Sequence, residues 1–147
     1  MKGIVSLAAG VALCALAPNA ANAQSTVSTI SGTVTVQKGS GPKLTCTATI
    51  GLDGATPATS SNVTSISLTG GGLLQLCRTV QFPNTPHSIT QGGGTFTVND
   101  VYADTTFTPG DCEGDISGTL SGGTVSVNAS LPQVSSGGAC TIVGTLS

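Results

Sequence analysis

The chain of 147 residues carries four basic and six acidic side chains, which gives a net charge of −2 at neutral pH. Nucleic-acid binding depends on basic patches that neutralise phosphates, so this composition argues against DNA or RNA as a partner, and it disfavours anionic membrane surfaces. With no Trp, one Tyr and three Phe, the chain also lacks the aromatic platforms of sugar-binding sites.

Residues 1–23 are predicted to be a cleaved export signal, and residues 24–147 a single secreted β domain. Lys2 precedes an uncharged apolar run over residues 4–17, and the small residues 21–23 close the segment. The run is shorter than the ~20 residues that span a bilayer, so no membrane span is predicted in the mature chain. The expected location is secreted or periplasmic, with association to the cell surface.

Four cysteines follow the predicted signal: Cys46, Cys77, Cys112 and Cys140. An even number in a short exported chain predicts two disulfides, and the spacings do not fit a zinc ribbon, in which ligands lie two to four residues apart. Three pairings are open on sequence grounds. We favour Cys46 with Cys77 and Cys112 with Cys140, because each bridge closes a moderate local loop.

Alternation of β-branched and polar residues predicts strands along the whole mature chain. They are predicted at residues 29–36, 45–52, 64–69, 79–82, 94–102, 115–120, 124–130 and 140–146. Gly122 and Gly123 lie between two alternating runs and predict a hairpin, while residues 71–78 suggest one short helical turn before Cys77. The predicted fold class is all-β: a single small antiparallel sandwich or barrel-like roll with two disulfides.

The sequence predicts no catalytic, cofactor-binding or metal-binding residue, and hence no enzyme. His87, the only histidine, follows Pro86 and is predicted to be a solvated loop residue outside any catalytic triad. The second half of the chain contains five acidic residues: Asp100, Asp104, Asp111, Glu113 and Asp115. They do not follow the pattern of a calcium loop, so an exposed acidic turn beside a disulfide is the preferred interpretation.

Four short segments stand out along the mature chain: residues 44–49 (LTCTAT), residues 76–77 (LC), residues 110–114 (GDCEG) and residues 138–146 (GACTIVGTL). These segments resemble the small secreted bacterial proteins that activate alkane oxidation. Together with the export signal they cover most of the mature chain. The resemblance implies a non-enzymatic extracellular or surface protein that promotes growth on long-chain hydrocarbons by aiding contact with an insoluble substrate.

Two functional hypotheses follow, and a secreted hydrolase, which would lose activity on substitution of His87, is a third and less favoured alternative. In the first, a β scaffold with Thr/Ser faces and a few exposed apolar residues acts at the oil–water or cell-surface interface, with a hydrophobic substrate or the cell surface as its partner. In the second, the protein is a structural surface or matrix subunit, similar to an adhesin, that assembles through unpaired strand edges. Partitioning to alkane droplets favours the first hypothesis, and filament formation the second.

Overall fold

The computed structural model describes residues 28–106 and 108–147 as nine strands with two short 3-10 turns. The strands are β1 (Ser28–Lys38), β2 (Leu44–Leu52), β3 (Asn62–Gly70), β4 (Val80–Gln81), β5 (His87–Gly92), β6 (Thr95–Thr105), β7 (Cys112–Ser121), β8 (Thr124–Leu131) and β9 (Cys140–Leu146). The 3-10 turns are Pro57–Thr59 and Leu76–Thr79. The predicted signal segment lies outside the described residues.

Eight of the strands close into an antiparallel barrel in the order β1-β2-β3-β5-β6-β7-β8-β9, and β9 returns to β1. The short β4 pairs only with the end of β6. The seam between β3 and β5 is the shortest in the wall, with two paired positions at Asn62 and Val63. The prediction of an all-β, barrel-like domain is therefore confirmed, and the barrel form is the one that occurs.

Strict alternation along the strands separates an apolar interior from a polar exterior. In β1, Val34 and Val36 are buried while Thr33 is exposed, and β2 repeats the pattern with Ala48 buried between the exposed Thr47 and Thr49. Successive side chains of a strand point to opposite faces, so the Val, Ile and Leu residues of this pattern fill the barrel. The outer wall consists largely of Thr and Ser.

Two disulfides stabilise one end of the barrel. Cys46 is bonded to Cys77 with a Cα–Cα distance of 5.7 Å, and Cys112 to Cys140 with a distance of 6.0 Å. This is the pairing favoured from the sequence. Native bridges in small secreted domains each contribute about 2–5 kcal/mol, which is large beside the net stability of a domain. We call this the disulfide end.

The opposite end of the barrel carries two tight hairpins and the loop over residues 53–61. Gly93–Gly94 join β5 to β6, and Gly122–Gly123 join β7 to β8; all four glycines have positive φ, as two-residue hairpin turns of type I′ require. The hairpin predicted at Gly122–Gly123 is confirmed. We call this end the mouth.

One strand and the histidine within it were not predicted. Residues 87–92 form β5, which pairs with β3 and β6, although the sequence suggested a proline-rich loop there. His87 is the first residue of this strand and is only 4% exposed, so the prediction of a solvated loop histidine is wrong. Pairing of His87 with Val63 places its ring on the inner side of the wall.

Candidate functional site

The interior of the barrel contains an apolar cavity of about 80 Å³ on the side of the mouth. Every one of its eighteen lining residues is apolar, and they include all six isoleucines of the described residues. These isoleucines are Ile30, Ile50, Ile66, Ile89, Ile116 and Ile142. Six different strands supply them, so the cavity is a property of the closed barrel and not of any single element.

Four of the isoleucines form the rim of the cavity. Ile30, Ile50 and Ile66 are direct cross-strand neighbours on β1, β2 and β3, and Ile89 lies on the next strand of the wall. All four are only partly buried, whereas Ile116 and Ile142 deeper in the barrel are buried. The partly exposed isoleucines of the lining therefore form an arc along four consecutive strands of the wall.

A void of this kind has an energetic cost to the fold. Cavities in protein cores destabilise by about 24 cal/mol per Å³, so a volume of about 80 Å³ corresponds to roughly 2 kcal/mol. Without polar partners in the lining, water inside would have nothing to bind, and apolar cavities of comparable lining stay dry. The space is suited to an apolar guest.

The loop over residues 53–61 lies against the mouth and places Pro57 in the cavity wall. The Asp53 carboxylate accepts hydrogen bonds from the backbone N–H (3.0 Å) and the side-chain amide (2.7 Å) of Asn62 and from the backbone N–H of Ser61 (2.8 Å), and these bonds hold the pKa of Asp53 below its usual range. The Gln91 side chain donates to the Ser60 carbonyl oxygen at 2.9 Å, which ties the loop to β5. This mouth loop is therefore held on both sides.

The disulfide end is closed by Lys38, which is only 6% exposed. Its ammonium group lies 3.4 Å from the Gly138 carbonyl oxygen, 3.5 Å from that of Asp111 and 3.4 Å from Cys112 Sγ. A buried ammonium must be satisfied by such acceptors, because an unpaired buried charge is strongly destabilising. The lysine plugs the barrel at the end away from the cavity.

A second apolar feature lies outside the barrel, between β3 and the 3-10 turn at Leu76–Thr79. Leu73 is fully exposed and Leu74 is 78% exposed, and they are the two most exposed large apolar side chains among the described residues. The turn that follows contains Cys77, whose bridge to Cys46 fixes the loop to the barrel wall. We call residues 70–75 the leucine loop.

A family comparison accounts for the whole chain. The family model described as alkane oxidation protein activator, PraA/PraB-like, matches residues 1–147. The chain belongs to this family. Neither a curated protein nor a solved structure matches it. The family description names an activator of alkane oxidation.

The acidic residues of the chain serve the barrel wall and its turns. Tyr102 donates a hydrogen bond to the Asp111 carboxylate, which raises the pKa of Tyr102 to about 12 and lowers that of Asp111. Asp115 accepts from the backbone N–H of Asp100 at 3.0 Å. Among the described residues, no group of three or more His, Cys, Asp or Glu is placed to hold a metal ion.

His87 of the activator is buried without a hydrogen-bond partner on Nε2, and burial lowers its pKa. A neutral imidazole in this position packs as part of the wall. Neither a serine nor a carboxylate side chain is hydrogen-bonded to this nitrogen.

Sequence reasoning did not find the cavity or the leucine loop as sites. The signal for the cavity was present, because every isoleucine after the predicted signal lies at an inward position of an alternating strand. The signal for the loop was the pair Leu73–Leu74 directly after three glycines. In the part of the chain that the structure describes, no helix is long and apolar enough to cross a membrane.

Proposed function

We propose that this PraA/PraB-like activator is an exported, non-enzymatic protein that promotes the use of long-chain alkanes by attaching to a hydrocarbon–water or cell-surface interface. Membership of a family named for alkane oxidation gives the substrate class. The observation that supports the interfacial mode is the exposed pair Leu73 and Leu74, two adjacent leucines that are more exposed than the other exposed large apolar side chains of the described residues, Val134 and Val143. Export through the signal predicted in residues 1–23 is part of the proposal.

The leucine loop is built to present its two side chains. Gly70, Gly71 and Gly72 all have positive φ, and Gln75 at φ 48° is also left-handed, so the chain turns sharply on both sides of the pair. The Cys46–Cys77 bridge then fixes the far side of the loop. Because the loop is already ordered, little conformational entropy is lost when the leucines enter an apolar phase.

The free energy available from this contact is enough for reversible attachment. Fully burying a Leu side chain is worth about 1.5–3 kcal/mol, so the pair offers roughly 3–6 kcal/mol. Each 1.4 kcal/mol is tenfold in a partition constant, which gives an enrichment of about 10² to 10⁴. The Thr and Ser side chains of the barrel wall remain hydrated, so the molecule attaches by the loop and does not spread its wall over the surface.

The alternative function, a surface or matrix subunit joined through strand edges, has less support. The eight long strands all have neighbours on both sides in the barrel. The part of β3 beyond Val63 does not pair with β5, but β4 and the turn at Leu76–Thr79 contact β3. A complete free edge, which strand addition needs, is therefore lacking in the described part of the chain.

A flotation assay tests the interfacial mode. The protein, expressed from its full-length coding sequence and purified in the oxidised form, is mixed with hexadecane droplets and centrifuged. We expect the wild type to float with the droplets, and Leu73→Ser/Leu74→Ser to lose at least about tenfold in partitioning, because each leucine is worth about 1.5–3 kcal/mol at the interface.

Val143→Thr is the matched control. Val143 is also an exposed apolar residue, but it lies on the outer wall in β9 and is replaced by a side chain of the same shape. It should float as the wild type does. Reduced protein should float less than the oxidised wild type, because the loop is no longer fixed. Retention of the oxidised wild type in water, or flotation of the double variant at the wild-type level, overturns the interfacial proposal.

A further inference from the structure

We propose that the mouth of the barrel binds the methyl end of an unbranched, uncharged alkane, which enters the cavity past the rim isoleucines. This inference rests on the proposed function for its substrate class, but it concerns a different place on the molecule. The leucine loop follows the end of β3 that pairs with Cys46, at the disulfide end, whereas the cavity lies towards the mouth. Each can therefore be altered without the other.

The lining determines what kind of group can enter. All the residues around the cavity are apolar, so a ligand atom inside it has no hydrogen-bond donor or acceptor to meet. A buried polar group without a partner is strongly disfavoured, whereas hydrocarbon in such a space loses nothing and gains contact with the lining. The part of the ligand that occupies the cavity must be hydrocarbon.

The size of the cavity limits the shape of the ligand that can enter it. A volume of about 80 Å³ is roughly half that of the engineered cavity of ~150 Å³ that admits benzene. A ring does not fit this space, but the methyl end of a linear chain and a few methylene groups do. The rest of the chain then lies along Ile30, Ile50, Ile66 and Ile89, which are partly exposed at the rim.

The distribution of charge separates an alkane from a fatty acid, which shares the same chain. The described residues contain three Lys or Arg side chains: Lys38, Lys43 and Arg78. Lys38 and Lys43 flank the β1–β2 turn, and Arg78 follows the bridged Cys77, so all three belong to the disulfide end. The mouth loop instead carries Asp53, whose lowered pKa keeps it anionic at neutral pH. A carboxylate or phosphate head group at the mouth would meet none of the Lys or Arg side chains of the described residues.

Methyl NMR of the isoleucines reads the cavity directly, because all six described isoleucines line it. The oxidised protein, expressed from its full-length coding sequence with labelled Ile δ1 methyl groups, is titrated with n-octane up to its solubility in water. We expect saturable shifts of the methyl resonances of the six lining residues. The branched isomer 2,2,4-trimethylpentane and sodium octanoate serve as the shape and charge arms.

Each arm can overturn part of the assignment. Absence of saturable shifts with n-octane overturns the site. Equal shifts with 2,2,4-trimethylpentane overturn the linear-chain assignment, and equal or tighter binding of octanoate overturns the preference for a neutral ligand. Weaker binding in both of these arms, by about tenfold or more, supports the proposal.

Substitutions that fill the cavity test whether it is the binding site. Ala48 lines the cavity on β2, and its neighbour Thr47 points outward on the same strand. Ala48→Ile should abolish octane binding and the smaller Ala48→Val should weaken it, while Thr47→Ile, which adds the same side chain on the outer wall, should bind as the wild type does. Ala48→Val remains informative if Ala48→Ile does not fold. Octane binding that survives in folded Ala48→Ile overturns the site.

The interfacial proposal and the cavity proposal can be refuted independently of each other. Leu73→Ser/Leu74→Ser should lose flotation and keep octane binding, and Ala48→Ile should do the reverse. Octane binding with no flotation leaves the cavity standing without the interfacial mode, and flotation without octane binding refutes the cavity while the interfacial mode stands. Loss of octane binding in Leu73→Ser/Leu74→Ser would overturn the independence of the two sites.

Discussion

Tyr102 and Asp111 form a hydrogen-bonded pair in which the pKa of each side chain is shifted. The hydrogen bond from the phenol to the carboxylate favours the neutral phenol, so the pKa of Tyr102 is raised to about 12, above the ordinary value near 10. The same bond, with a backbone N–H from Thr105 and the nearby charge of Lys38, lowers the pKa of Asp111. One interaction therefore joins the end of β6 to the start of β7.

The effect on stability has opposite pH limits for the two groups. A raised pKa of Tyr102 stabilises the fold below pH ~10, and this contribution is lost as the pH rises towards the folded-state value. A lowered pKa of Asp111 stabilises above pH ~4, and its contribution is lost as the pH falls. Between these limits the pair should contribute constantly.

The titration of Tyr102 gives the first prediction, because it is the only tyrosine in the chain. Ultraviolet absorbance of the phenolate should rise with a midpoint near 12 in the folded protein. Asp111→Asn should bring the midpoint down towards 10, since the carboxylate that opposes ionisation is gone. Circular dichroism at each pH verifies that the protein is still folded. A wild-type midpoint near 10 in folded protein would contradict the hydrogen bond.

At the scale of the element, three inward glycines let the strands of the barrel approach one another closely. A Cβ at Gly32 or Gly144 would lie 1.9 Å from the Thr145 carbonyl oxygen or 2.2 Å from that of Thr33, across the β1–β9 seam. Gly118 on β7 is similar, with the Ser126 carbonyl oxygen at 2.1 Å and the Phe96 ring at 2.7 Å. Glycine at such positions marks the sharp bends that closure of a small barrel requires.

The prediction for the strands compares the free energies of unfolding of two variants, Gly118→Ala and Gly92→Ala. Both glycines lie in strands, but nothing lies within 4 Å of a Cβ at Gly92. Gly118→Ala should lower the free energy of unfolding by about 1–3 kcal/mol or more, because backbone and the Phe96 ring must move. Gly92→Ala should change it by less than ~1 kcal/mol in either direction. Urea denaturation measures both, and equal losses would be inconsistent with close approach as the cause.

The same glycines explain why the sequence looks repetitive without being a repeat. Ile-Ser-Gly-Thr occurs at residues 30–33 and again at residues 116–119, and in both places an isoleucine of the cavity precedes an inward glycine. In both strands, β1 and β7, the glycine allows a neighbouring strand to approach closely while the isoleucine lines the cavity. Similar sequence here reflects similar geometry, so it gave no guide to strand order.

Most strands could be predicted because alternation is a local property, but β5 could not. Only Ile89 of its residues is an apolar inward side chain, while His87 and Gln91 take the other inward positions, so the alternating signal is weak. The pairing that stabilises β5 comes from β3 and β6, which lie on either side of it in the wall. Closure of the barrel and formation of the cavity depend on such pairings between distant strands, so local sequence patterns could not predict them.

At the scale of the whole molecule, closure gives the barrel two different ends. The disulfide end contains both bridges, the buried Lys38 and the leucine loop, and the mouth has the rim isoleucines and the mouth loop. The disulfide end, with its covalent bonds and its satisfied charge, contains a smaller cavity of about 30 Å³ beside Lys38, and the larger apolar cavity of about 80 Å³ lies towards the mouth. A molecule of this form can rest on one apolar surface by its loop while its mouth stays open to a hydrocarbon chain.

Closure also predicts the state of association, which separates the two candidate functions. With the long strands paired on both sides and the rest of β3 contacted by β4 and the neighbouring turn, the oxidised protein should remain monomeric over a wide range of concentration. Sedimentation velocity and light scattering measure this. The reduced protein is the control, because loss of the bridges frees segments that could expose strand edges.

Concentration-dependent filaments of the oxidised form would favour the structural-subunit function, since they would show that the part of β3 beyond Val63, which does not pair with β5, accepts an added strand. Filaments from the reduced form alone would leave the closed monomer as the functional species, because they would arise from its opening.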